Sequence, residues 1–135
     1  MKFFSVTLIT ILVLFLQLVY ATNGNKCMKR TIMIDLDGVL DNYTKYTDEI
    51  PEIRKGAKDF IKQLSKDYKL ILFTTRSPMK ATKWLQDNKI DRYFIDVTNI
   101  KSPAYIYLDD RTIKFEGDYN KALNDINNFR VYWQK

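Results

Sequence analysis

Short apolar runs alternate along the chain with segments in which apolar residues recur at helical spacing. A strand buried on both faces shows the first pattern and an amphipathic helix shows the second, so the alternation predicts a parallel α/β sheet. Strands are predicted from Ile32 to Asp35 and over residues 69–73, 93–97 and 104–108. Helices are predicted over residues 53–67, from Pro78 to about Asn88, and after Asp118, which is a suitable N-cap.

The same periodicity predicts which helix residues face the core. The inward positions are Ile53, Ala57, Phe60, Ile61 and Leu64 in the first helix, Ala81, Trp84 and Leu85 in the second, and Ala122, Leu123, Ile126 and Phe129 in the last. Trp133 is expected to pack that end of the chain onto the core. Residues 41–51 are predicted as a loop over the first strand end, and residues 115–119 as a short edge segment.

Residues 3–21 are almost wholly apolar, carry no charge and follow the single positive residue Lys2. The small residues Val19 and Ala21 suit cleavage by signal peptidase, and the run is nearly long enough to span a bilayer. Residues 1–27 are therefore interpreted as a signal peptide or a membrane anchor.

Two observations leave the compartment open. The positive residues Lys26, Lys29 and Arg30 follow the apolar run, which favours a domain on the cytoplasmic side of a membrane. Met28 leads directly into the first strand, so it is an alternative start of the protein. In each case residues 28–135 form the folded domain, which is exported or anchored if the preceding residues are translated and cytoplasmic otherwise.

Composition narrows the chemistry of this 135-residue chain, which has a net charge of +6, no histidine and one cysteine. The positive balance suits anionic substrates or nucleic acid, and equally a solvated basic surface. The absence of histidine excludes Ser-His-Asp and Cys-His catalysis and every His-ligated metal site. Chemistry must therefore use carboxylates, hydroxyls, lysine or a carboxylate-bound metal.

Asp35 and Asp37 stand at the end of the first predicted strand and are followed by Gly38. Their spacing places both side chains on one side of an extended chain, where two carboxylates repel unless a cation or a shared proton holds them. Hard oxygen ligands of this kind indicate Mg²⁺. The alternative is an ordinary polar turn, because Asp-Gly is a common turn sequence.

Other polar residues follow further strands, and in a parallel sheet these strand ends share one edge. Thr74 and Thr75 follow the second strand, Asp109 and Asp110 follow the fourth, and Lys101 lies in the loop before it. Each signal is weak alone. Their occurrence in this order predicts one site at the carboxyl edge of the sheet.

The set resembles the haloacid dehalogenase-like (HAD) phosphohydrolase superfamily over about residues 30–128. Four motifs carry the resemblance: Asp35-Leu36-Asp37-Gly38, Thr74 after an apolar run, Lys101, and Asp109-Asp110. The Leu-Asp-Asp-Arg ending and the Thr-Thr-Arg-Ser turn look like those of small phage and bacterial phosphatases, and more distantly like those of 5'(3')-deoxyribonucleotidases. The resemblance implies a three-layer Rossmann-like parallel sheet. Residues 41–53 and 77–99 are too short to hold the cap domain that such proteins often carry.

The resemblance also implies a role for each catalytic residue. Asp35 would be the nucleophile that forms an aspartyl-phosphate, and Asp37 would protonate the leaving group and then activate water. Thr74 would hydrogen-bond a phosphoryl oxygen, and Lys101 would neutralise charge on the transferred group.

Metal and substrate contacts are implied in the same way. Mg²⁺ would be held by Asp35, the backbone carbonyl of Asp37, and Asp110, with Asp109 beside it. Substrate contacts are assigned to Thr75, Arg76 and Arg111, with structural ion pairs as the alternative for the two arginines.

The function expected from the sequence is Mg²⁺-dependent phosphomonoester hydrolysis. A site without a cap suits a large or nucleotide-like phosphorylated substrate, or a site covered by a second copy of the chain. Two alternatives are a polynucleotide end phosphatase and a low-turnover phosphate- or metal-binding module, tethered to a membrane by residues 3–21.

Overall fold

The computed structural model describes residue 11 and residues 28–134. The interpretations of residues 3–21 as a signal peptide or anchor therefore lie outside the described residues, residue 11 apart. Within residues 28–134, no helix has both the length and the apolar character needed to cross a bilayer.

A four-stranded parallel sheet forms the centre of the described domain. Its strands are β1 (Thr31–Asp35), β2 (Lys69–Phe73), β3 (Phe94–Thr98) and β4 (Ile106–Leu108), in the spatial order β3-β2-β1-β4. Three helices accompany the sheet, α1 (Ala57–Leu64), α2 (Pro78–Asp87) and α3 (Tyr119–Asn127), and a 3₁₀ turn spans Asp91–Tyr93. The predicted α/β Rossmann-like class is confirmed, and the chain between the strands forms no large cap.

One face of the central strands packs against α1 and α2. Ile34 and Leu72 are directly paired in the β1–β2 register, so their side chains share this face, and both are fully buried. Ile61 of α1 and Leu85 of α2 belong to the same apolar cluster. This core holds the central strands in place, and their carboxyl ends therefore have defined positions.

The other face of β1 carries Met33, which is 1% exposed and is paired with Tyr107 of β4. The loop before β4 crosses this face, because the Ser102 hydroxyl lies 3.7 Å from the Met33 sulfur. The hydroxyl of Tyr107 donates to the Ser102 carbonyl at 2.5 Å. Loop contacts of this kind cover Met33.

Several predicted boundaries are wrong. The first helix begins at Ala57 and not at Ile53, because Gly56 has a φ of +88°, which a helix does not continue through, and Ile53 instead forms a bridge with Asp41. Phe60, predicted to face inward, is 43% exposed. The fourth strand begins at Ile106, two residues later than predicted.

Two further predictions for the flanks of the strands are wrong. The third strand begins at Phe94, because the residues before it form the 3₁₀ turn. Residues 115–119 form no strand, and Tyr119 is the first residue of α3.

The prediction for the core-facing side of α3 is wrong as well. Leu123 and Ile126 are each 58% exposed, and no residue of the helix is buried. Helical periodicity showed that one side is apolar, but burial also needs a surface to receive that side, and β4 at this edge of the sheet has only three residues. The N-cap prediction is confirmed, since Asp118 accepts hydrogen bonds from the backbone N–H groups of Asn120 at 2.8 Å and Lys121 at 3.1 Å.

Candidate active site

A tight turn after β1 presents Asp35 and Asp37 at the carboxyl edge of the sheet. The carbonyl of Leu36 accepts hydrogen bonds from the N–H groups of Val39 at 3.3 Å and Leu40 at 3.0 Å, which reverses the chain. Gly38 has a φ of +82° in this turn, a conformation that residues with a Cβ rarely adopt. The turn requires a glycine three residues after the end of β1, and this accounts for the glycine of the Asp-x-Asp-Gly sequence.

Asp35, Asp109 and Asp110 come together from the ends of β1 and β4. One carboxylate oxygen of each lies within 4.8 Å of the other two. The Asp110 side chain is 1% exposed, and its Oδ1 is buried without a hydrogen-bond partner. An unpartnered buried carboxylate oxygen is costly unless something such as a cation compensates it. Three hard oxygen donors with one orphaned atom fit a divalent cation such as Mg²⁺.

The electrostatics of Asp35 point the same way. Burial, with smaller contributions from the carboxylates of Asp109 and Asp110, raises the pKa of Asp35 from 3.8 to about 7. A hydrogen bond from the backbone of Leu36 opposes this shift. A carboxyl group with a strongly raised pKa in a cleft is a functional-site candidate, and a bound cation would favour its ionised form.

Asp37 is held by an ion pair with Arg76. The Arg76 Nε lies 2.7 Å from Asp37 Oδ1 and 2.9 Å from Oδ2, and the arginine side chain is only 5% exposed. A second nitrogen of Arg76, Nη1, donates to the carbonyl of Thr47 at 2.7 Å, and the guanidinium lies 5.3 Å from the centre of the Tyr46 ring. The loop over the strand end therefore helps to place Asp37 through Arg76.

A cavity of about 130 Å³ opens between these strand ends. It is lined by Asp35, Asp37, Phe73, Thr74, Thr75, Asp109 and Arg111. Thr74 is 1% exposed, and its hydroxyl oxygen accepts the backbone N–H of Arg76 at 3.2 Å, a hydrogen bond within the turn into α2. Most of the residues that the motifs predicted for one site do line one cavity.

Arg111 and Lys101 occupy different surroundings. Arg111 lines the cavity, and its Nε lies 3.8 Å from Asp110 Oδ1. Lys101 is exposed, its ammonium lies 4.6 Å from the centre of the Tyr107 ring, and it is not among the residues that line the cavity. A catalytic role for Lys101 therefore requires its flexible side chain to reorient.

Sequence reasoning missed three residues that shape the turn after β1. Asp41 is fully buried and accepts the N–H groups of Gly38 at 2.8 Å and Tyr43 at 3.1 Å. Arg54 donates to the carbonyls of Gly38 at 3.3 Å and Asp41 at 3.1 Å. The Tyr132 hydroxyl donates to the same Gly38 carbonyl. An Asp placed to bond its own turn was a signal for Asp41, whereas the two distant residues carry no local signal.

Burial also affects the ionisation of Asp41. Desolvation, as the largest cause, raises the pKa of Asp41 from 3.8 to about 6. Its Oδ2 is buried without a partner, although its Oδ1 accepts two hydrogen bonds. Asp41 thus stabilises the turn through Oδ1, and the burial of Oδ2 without a hydrogen-bond partner offsets part of that stabilisation.

A parallel sheet that gathers acidic side chains and a threonine around a small cavity at its carboxyl edge is the arrangement that the HAD-like resemblance predicted, and the family match below shows that the chain is a HAD-like phosphatase. The chain belongs to the NLI interacting factor-like phosphatase family, whose sequence model matches residues 18–131. It is therefore a phosphatase, a phosphoric monoester hydrolase, as the motifs predicted.

A solved structure of a conserved protein from Bacteroides thetaiotaomicron is similar to this fold, with a TM-score of 0.53 and 21% sequence identity. The match covers 73% of this chain and 89% of that chain. At this identity the likeness shows the fold alone. No curated protein is detectably similar in sequence to this chain.

Proposed function

We propose that the protein is a Mg²⁺-dependent phosphomonoester hydrolase that acts through an aspartyl-phosphate on Asp35. The observation that carries this proposal is the meeting of Asp35 with Asp109 and Asp110 within 4.8 Å, where the buried Oδ1 of Asp110 has no hydrogen-bond partner. A nucleophile needs an accessible atom beside the cavity, and Asp35 lines it.

The residues present account for a two-step reaction. In the first step an oxygen of Asp35 attacks phosphorus, the bond from phosphorus to the leaving oxygen breaks, and Asp37 gives that oxygen a proton. In the second step Asp37 takes a proton from water, whose oxygen attacks phosphorus and releases inorganic phosphate from Asp35. Asp37 must loosen its ion pair with Arg76 when it carries the proton.

Mg²⁺, held by carboxylate oxygens of Asp35 and Asp110 with Asp109 beside them, would offset the repulsion between Asp35 and an anionic phosphoryl group. The backbone carbonyl of Asp37 is the further ligand that we propose. The hydroxyl of Thr74, whose oxygen accepts the Arg76 N–H and whose proton is free to donate, the backbone N–H of Thr75 and the guanidinium of Arg111 are the donors for the phosphoryl oxygens. Lys101 is proposed to join them by swinging away from Tyr107.

The dimensions of the cavity bear on the substrate. Pockets that enclose a small-molecule ligand measure roughly 300–1,000 Å³. The cavity of about 130 Å³ is smaller and accommodates a phosphoryl group while the rest of the substrate stays outside. We therefore propose a phosphomonoester whose leaving group lies on the open surface, which suits a large substrate such as a phosphoprotein or a nucleic-acid end.

The test of the nucleophile is Asp35→Asn in the full chain, assayed with p-nitrophenyl phosphate and Mg²⁺. The amide is not a nucleophile of comparable strength, so we expect phosphate release to fall to the background rate while circular dichroism shows an intact fold. The matched control is Asp87→Asn, because Asp87 is exposed in α2 and pairs with Lys83 at 2.8 Å, away from the cavity. Turnover by Asp35→Asn at the wild-type rate would refute the assignment.

A further inference from the structure

The chain after α3 returns to the carboxyl edge of the sheet through a short segment, residues 131–133. Val131 is 7% exposed and anchors the segment. The indole N–H of Trp133 donates to Oδ2 of Asp110, and the hydroxyl of the preceding Tyr132 donates to the carbonyl of Gly38. Two consecutive residues thus contact two of the motifs that form the site.

The absence of a side chain at Gly38 makes room for the contact between Trp133 and Asp110. A Cβ at position 38 would lie 2.8 Å from the Trp133 indole nitrogen and would collide with the Asp110 carboxylate. A glycine at position 38 therefore permits both the positive φ of the turn and the close approach of the Trp133 indole to the Asp110 carboxylate. No larger side chain leaves room for both.

The Trp133 ring is itself held in place. Its centre lies 5.2 Å from that of Tyr43, with the two planes at 74°, which is an edge-to-face contact. The guanidinium of Arg111 lies 5.4 Å from the Trp133 ring centre and 5.1 Å from the Tyr43 ring centre. An indole with these neighbours has little freedom to turn its N–H away from Asp110.

We propose that Trp133 is a positioning residue for the metal site. It holds Oδ2 of Asp110, and so leaves Oδ1, the buried oxygen that has no hydrogen-bond partner and lies 3.8 Å from Arg111 Nε, as the ligand for a divalent cation. Donors that fix the unbound atom of a metal ligand commonly account for 10- to 100-fold in metal affinity. This inference rests on the proposed metal site, and it adds a residue 23 positions from Asp110 along the chain.

The first test compares Mg²⁺ binding to the full-length wild type and Trp133→Phe by calorimetry. Phenylalanine keeps an aromatic ring against Tyr43 but has no N–H, so we expect the dissociation constant for Mg²⁺ to rise about tenfold. Trp84→Phe is the matched control, because the Trp84 indole donates to the Pro51 carbonyl at 2.8 Å, outside the site, and its loss should leave the constant unchanged. An unchanged constant in Trp133→Phe overturns the inference. A lower one also overturns it, because the indole would then compete with the ion.

A second measurement keeps the native residue at position 133 and does not depend on the folding of Trp133→Phe. The chain has two tryptophans, so in Trp84→Phe the emission comes from Trp133 alone. We expect Mg²⁺ to change this emission with the dissociation constant found by calorimetry. Mg²⁺ binding without any change in emission would contradict contact between the indole and a metal ligand.

The two proposals fail in different ways. If Asp35→Asn abolishes turnover and Trp133→Phe binds Mg²⁺ as the wild type does, the function stands and the role of Trp133 is refuted. If the wild type binds Mg²⁺ through a Trp133-dependent site but releases no phosphate from any ester, the role of Trp133 stands and the function is refuted. A wild type that binds no Mg²⁺ refutes both.

Discussion

At the scale of single residues, the ion pair between Arg76 and Asp37 sets the position of the proposed acid. Arg76 is almost fully buried and is tied to the Thr47 carbonyl as well, so its guanidinium is a rigid support. The sequence assigns Arg76 to substrate contact, with a structural ion pair as the alternative. Its contacts favour the second role, since it is not among the residues that line the cavity.

Arg76→Lys tests this positioning role. Lysine keeps the charge but cannot bond Asp37 and the Thr47 carbonyl through separate nitrogens, so Asp37 should lose its fixed orientation. We expect kcat to fall about 10- to 100-fold with little change in KM, because small misplacements of a catalytic group cost this much. Arg92→Lys is the control, since Arg92 is exposed and its guanidinium lies 4.9 Å from the ring centre of the adjacent Tyr93. A rise in KM with unchanged kcat would instead indicate that Arg76 binds substrate.

Residues at strand ends could be predicted to meet, because parallel strands share a carboxyl edge and Asp35 and Asp109 each follow an apolar run. The side chains that bond to these residues could not be predicted from the sequence. Arg76 lies 39 positions from Asp37, and Trp133 lies 23 positions from Asp110. Such contacts depend on how loops close over the sheet, and neither periodicity nor spacing in the sequence records that closure.

At the scale of elements, the predictions succeeded where the signals were local. The strand over residues 69–73 was predicted with the bounds that the structure shows, and α2 begins at Pro78 as expected of a proline in the first turn. The inward positions of α2 were also correct, since Ala81, Trp84 and Leu85 are buried, but the prediction for the inward side of α3 failed. The apolar side of α3 was expected in the core, yet Leu123 and Ile126 are mostly exposed.

The exposure of α3 makes its N-cap unusually important for that helix. Since no residue of α3 is buried, the helix is held by its own backbone bonds, by exposed side-chain pairs such as Lys121 with Asp125, and by its cap, so Asp118→Ala should cost about 1 kcal/mol of helix stability. We expect faster amide hydrogen exchange across Tyr119–Asn127 and little change in the exchange of β1 and β2. Asp91→Ala is the control. Asp91 begins the 3₁₀ turn, which has no side-chain cap, so this change should leave the hydrogen exchange of α3 unaltered. Equal acceleration of exchange in β1 would show that α3 unfolds only with the whole domain.

At the scale of the whole molecule, the site makes the metal-free protein less stable as pH rises. The pKa of Asp35 is about 7 in the folded state against 3.8 as its ordinary value, so the folded state holds this proton more tightly than the unfolded state does. The contribution of Asp35 to stability is therefore most favourable below about pH 4, decreases as the unfolded chain loses the proton, and levels off above about pH 7. At 1.36 kcal/mol for each unit of pKa, the cost is at most about 4 kcal/mol, and the partial exposure of Asp35 reduces it.

Asp35→Asn removes this cost, so the variant should be more stable than the wild type in urea with chelator present at about pH 8, by roughly 2–4 kcal/mol. The difference should shrink as the pH falls toward about 4 and below, where the unfolded wild type also takes up the proton. The raised pKa of Asp41 acts in the same direction but is common to both proteins, so it cancels in the comparison. Asp87→Asn should show no such dependence on pH.

Mg²⁺ at roughly 100 times its dissociation constant should raise the free energy of unfolding of the wild type by about 2.7 kcal/mol, because the ion binds the folded state. A difference between Asp35→Asn and wild type that stays constant across this pH range would mean that burial and neighbouring charge do not destabilise ionised Asp35. The acidic cluster would then not be the strained site that a cation relieves.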